Sequence, residues 1–115
     1  MGLLSHGLMD QQIREICRIW TEHADPEKII VFGSAARGQM TPDSDLDFLV
    51  VWRGDAFPNN RRRASYLMLA LPDDVRVPID VVVLTPEQYE TALSDPRTFV
   101  SEIVREGMMV YERVA

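Results

Sequence analysis

The chemically suggestive residues of this 115-residue sequence are a glycine–serine pair and three aspartates. Gly33-Ser34 closes the β-branched run Lys28 to Phe32 and leads into Ala35-Ala36-Arg37-Gly38. Residues 35–44 then separate Ser34 from Asp45 and Asp47, which stand at i and i+2 at the head of an apolar run ending at Trp52. Glycine permits close backbone approach to a ligand, and free N–H groups at a helix start attract phosphate. On a strand, the i, i+2 spacing puts Asp45 and Asp47 on one face, about 6.5 Å apart. Carboxylates so placed can share a hard divalent cation that also holds phosphate oxygens, and two such ions can stabilise both attacking and leaving oxygens. Asp80 lies inside the apolar run Ile79 to Leu84. A carboxylate there needs a partner, solvent or a metal. If Asp80 stands beside Asp45 and Asp47, three like charges converge and a cation relieves the repulsion.

Each feature also has a plainer reading. Gly33-Ser34 suits an ordinary strand-to-helix turn, Asp45 and Asp47 suit a strand entry, and Asp80 could pair with Arg76 or another arginine. Arg37 is suited to a phosphate contact or to a structural ion pair. Arg61-Arg62-Arg63 is the one basic run and reads as a solvated helix start, or as a reach toward triphosphate or an acidic partner. His6 and His23 read as surface residues, and Cys17 falls on the apolar face of its helix. Met68, Met108 and Met109 read as core or partner-facing residues.

The elements that must position these residues follow from periodicity. Leu8, Ile13, Ile16, Cys17, Ile19 and Trp20 recur at helical spacing over 8–23, before Asp25-Pro26. Strands are expected at 28–32, 45–52, 76–84 and 108–112. The second is apolar on both faces after Asp47, as befits the middle of a covered sheet. A single helical turn is expected over 35–38 with Ser34 as its N-cap, and a loop over Met40 to Ser44. Helices are expected over 61–71, over 86–94 behind Thr85-Pro86, and over 96–106 ahead of Gly107. The sum is α/β (α+β): one domain over 1–115, with a small mixed sheet of three to four strands covered by four or five helices.

Composition limits what such a domain does. At 46% hydrophobic residues the chain is too apolar for disorder and long enough to bury a core without disulfides. A net charge of −6 argues against non-specific binding to DNA, RNA or an anionic membrane. The lone Cys17 permits no internal disulfide, and neither a signal peptide nor a membrane-length apolar run is legible. These features lead us to expect a cytoplasmic protein.

Gly33-Ser34, the ten-residue gap and Asp45-Leu46-Asp47 together resemble the signature of the nucleotidyltransferases related to DNA polymerase beta. The form Gly-Ser-Ala-Ala-Arg-Gly…Ser-Asp-Leu-Asp-Phe-Leu-Val is most similar to the minimal nucleotidyltransferases, small antitoxins paired with a HEPN-domain toxin. The resemblance covers residues 28–84, with a weaker echo near the C-terminus. It implies a nucleotidyltransferase fold and transfer of AMP from ATP to a hydroxyl, that of a tyrosine on the HEPN toxin. On that reading Gly33, Ser34 and Arg37 bind nucleotide, Asp45, Asp47 and Asp80 hold two Mg²⁺ ions, and Asp80 helps deprotonate the acceptor. Two rivals are a small-molecule (antibiotic) nucleotidyltransferase and an antitoxin that acts by binding alone. Homo-oligomerisation is compatible with all three.

Overall fold

In the computed structural model, residues 3–38, 45–75 and 77–114 are described, with side chains from Asp10 onward. Eight elements follow one another: α1 (Leu3–His23), β1 (Lys28–Phe32), β2 (Leu46–Val51), α2 (Asn60–Leu69), β3 (Ile79–Leu84), α3 (Pro86–Leu93), α4 (Phe99–Glu106) and β4 (Met108–Glu112). The expected loop at Met40 to Ser44 and the Arg76 alternative for Asp80 lie outside the described residues.

The strands form one mixed sheet in the order β3-β2-β1-β4. β1 runs antiparallel to β2 and β4, whereas β2 and β3 are parallel. The doubly apolar run is therefore central, as its pattern demands, and every β2 side chain except Asp47 is buried. One face carries Ile29, Val31, Phe48, Val50 and Val83 against α1 and α2. Ile13, Ile16, Ile19 and Trp20 supply the buried stripe of α1. Trp20 meets Phe48 edge-on at 5.0 Å, and its indole N–H donates to the Leu67 carbonyl at 2.8 Å, fastening α1 to α2. The opposite face carries Ile30, Leu49 and Val51 against Tyr89 of α3 and Ile103 of α4.

Local chemistry sets the helix boundaries. Asn59 caps α2, accepting from Arg62 N at 2.9 Å, so this helix begins one residue before the expected 61. Thr85 and Gln88 form a reciprocal capping box at α3. Thr98 caps α4, which therefore starts at Phe99 rather than 96. The third strand spans only Ile79–Leu84, and α1 begins at Leu3, ahead of the expected 8. Cys17 packs against the first core, and burial pushes its thiol up to about 11. It is an inert packing residue at neutral pH.

Candidate active site at one end of the sheet

Strand register assembles the three aspartates. Phe32 of β1 pairs with Asp47 of β2, and Asp47 pairs with Asp80 of β3. Paired residues share a face, so Phe32, Asp47 and Asp80 form one row across three strands, each step about 4.8 Å. Asp45, just ahead of β2, is on the same side by the two-residue period. This is the face covered by α3 and α4, at the end those helices leave open.

The Gly33-Ser34 turn is seated on that row. Gly33 adopts φ +74°, a conformation that disfavours side chains. A Cβ built there would collide with Asp47 Oδ2 and stand 3.3 Å from the Asp47 carboxyl carbon. The missing side chain is what lets the Asp47 carboxylate lie against the turn. Residues 33–38 form the single turn expected, starting at Gly33 rather than 35: Arg37 N donates to Gly33 O, an i to i−4 bond, and Gly38 N to Ala35 O, both at 3.2 Å. Positive φ at Gly33 and again at Gly38 brackets this single turn and prevents its propagation.

The charges interact as their row implies. Burial pushes the Asp47 carboxyl above its ordinary value, the Asp80 and Asp45 charges add to that push, and the Arg37 guanidinium opposes it. Among the described residues no three His, Cys, Asp or Glu side chains are drawn close enough to cage a metal unaided. The donor set still fits Mg²⁺, which typically binds one or two carboxylates and completes its shell with water and substrate phosphates.

A groove and an aromatic pair flank the row. On the β3 side, a cavity of about 440 Å³ runs between α2 and the sheet edge, lined by Arg61, Met68, Leu69, Ile79 and Asp80. On the β1 side, Phe32 meets Phe99 edge-on at 5.8 Å, with Phe99 60% exposed. Nothing in the motif points to Phe99. It arrives through the turn that returns α4 to β1.

The basic run divides by burial. Arg61 and Arg62 are exposed, but Arg63 is buried. Arg63 Nε donates to Gly54 O at 3.0 Å, and its terminal nitrogens donate to Phe57 O at 3.0 Å and Asn60 Oδ1 at 2.8 Å. It clamps the loop between β2 and α2, which the solvated reading of this residue did not foresee. Arg63→Met is expected to lower stability by about 2 kcal/mol in urea unfolding, because three acceptors lose a charged donor.

The comparisons agree with this architecture. The profile of the nucleotidyltransferase domain family matches residues 9–107. The crystal structure of a nucleotidyltransferase candidate from Sulfolobus solfataricus superposes with a TM-score of 0.67 at 21% identity, over 96% of this chain and 86% of that one. A toxin–antitoxin structure with AMP-PNP superposes at 0.61 and 18% identity, over 87% of this chain and 73% of that one. At these identities the likeness is one of fold. No curated protein sequence gives a significant match. No helix among the described residues is long and apolar enough to cross a membrane.

Proposed function

The chain belongs to the nucleotidyltransferase domain family, and from that membership we propose that it transfers AMP from ATP to a tyrosine hydroxyl of a HEPN-type toxin, so acting as its antitoxin. The observation carrying this reading is the seating of the Gly33 turn on the Asp47 carboxylate, with Asp80 next in the row. A phosphate held at the Gly33-Ser34 turn would have its neighbouring oxygens beside the carboxylates. The antitoxin role is suggested by the toxin–antitoxin structure that shares this fold.

Asp45, Asp47 and Asp80 would hold Mg²⁺, which supplies charge neutralisation for the phosphate oxygens. Arg37, whose charge reaches Asp47, would add to that neutralisation. The acceptor oxygen attacks the α-phosphorus, a P–O bond forms, and the α–β bridging bond breaks with its electron pair leaving on pyrophosphate. Asp80, exposed on the edge strand next to Asp47, would take the hydroxyl proton. The acceptor would approach at the exposed β3 edge, where a partner protein would complete the wall of the site.

The test is transfer of label from α-labelled ATP, with Mg²⁺, to a co-purified HEPN-type partner. We expect the label on a partner tyrosine and its loss on chelation with EDTA. Toxin neutralisation without any label would establish the binding-only alternative. Label on a small-molecule antibiotic acceptor but not on protein would establish the small-molecule alternative.

A further inference from the structure

We propose that Phe99, backed by Phe32, is the platform on which the nucleotide base stacks. The inference rests on the nucleotide-transfer reading above and adds what holds the base. Phe32 is the strand neighbour of Asp47 and projects from the same face. Phe99 meets Phe32 edge-on, centroid to centroid 5.8 Å at 86°. Phe99 is therefore one ring contact beyond the strand neighbour of Asp47. An aromatic face thus borders the acidic row, where it can meet the base of a nucleotide whose phosphates lie at that row.

Exposure singles out Phe99. Phe32 is half-buried and belongs to the second core, whereas Phe99 leaves 60% of its surface to solvent at the first position of α4. Thr98 caps the helix there, accepting from Ser101 N at 3.1 Å. Ser101 is buried and donates to Asp95 O at 2.8 Å. The ring therefore hangs from a backbone fixed by its neighbours, beside a row of carboxylates suited to phosphate and metal. An exposed, held aromatic ring at that border fits a planar base, whose π-face needs no hydrogen-bond partner. Because a purine offers the larger face, purine nucleotides are favoured over pyrimidine nucleotides.

The experiment compares ATP with inorganic tripolyphosphate, a probe with the phosphates and no base, by calorimetric titration in Mg²⁺. Phe99→Ala is expected to weaken ATP about tenfold and to leave tripolyphosphate unchanged, while Phe99→Trp keeps or strengthens ATP. Wild type is expected to prefer ATP to CTP, and Phe99→Ala to lose that preference. The melting temperature of Phe99→Ala should stay near wild type because the ring is exposed. Unchanged ATP affinity in Phe99→Ala, or equal weakening of ATP and tripolyphosphate, overturns the platform. If wild type binds neither probe, the nucleotide-transfer reading itself falls. ATP binding that depends on Gly33 but not on Phe99 removes the platform alone.

Discussion

Asp47→Asn is expected to lower nucleotide transfer by about 10³-fold while raising the melting temperature of the free protein by about 3 °C. The two effects have one origin. Ionised Asp47 is half-buried on a sheet face with Asp80 in register and Asp45 two residues away. Burial and those two charges raise its carboxyl above the ordinary 3.8, with only Arg37 opposing. A raised carboxyl favours the unfolded chain once ionised. Its cost is absent below the unfolded value, grows as pH rises through the window up to the folded one, and is fully present at neutral pH. Asparagine keeps the shape and removes the cost, so the free protein melts higher. The same neutral amide supplies no charge for a divalent cation or for the developing phosphate charge, so transfer collapses. Label transfer and thermal melts without added metal read the two signs separately. A variant that loses activity and stability together would show Asp47 to be a folding residue.

The same conflict with folding is what made the candidate site stand out in the sequence. Charged residues interrupting an otherwise apolar strand pattern conflict with folding, and such conflicts concentrate at working sites. Asp47 and Asp80 are visible as such interruptions, and β2 as a central strand, because one-dimensional alternation reports burial directly. Their pairing across β2 and β3 was not legible, since parallel register depends on a crossover through α2 rather than on a local turn. Arg63 was misread for a related reason. Nothing in Arg61-Arg62-Arg63 shows that the third side chain turns inward to carbonyls of the preceding loop. Phe99 was invisible because one exposed phenylalanine has no meaning until α4 folds back on Phe32. The turn at 33–38 was half legible: Gly33 and Gly38 mark its ends, but their positive φ, which stops the helix, appears only in the folded backbone.

Gly33→Ala is expected to cost about 2–3 kcal/mol of stability and to weaken nucleotide binding more than tenfold. Two strains contribute. One is the backbone, since φ +74° is a left-handed conformation that alanine adopts at a cost of about 1 kcal/mol. The other is the collision of the new Cβ with Asp47 Oδ2, which requires the turn to lift or the carboxylate to swing away. Either movement separates the turn from the acidic row, so on the proposed reading binding falls along with stability. A double-mutant cycle with Asp47→Ala separates the two strains, because truncating Asp47 clears the collision and leaves the backbone cost. In that background Gly33→Ala should cost only about 1 kcal/mol, a coupling of roughly 1–2 kcal/mol between residues in contact. Equal costs in both backgrounds would mean that φ alone demands glycine. A coupling of the expected size would show that the turn and the carboxylate are built as one unit, with glycine at the point where they meet.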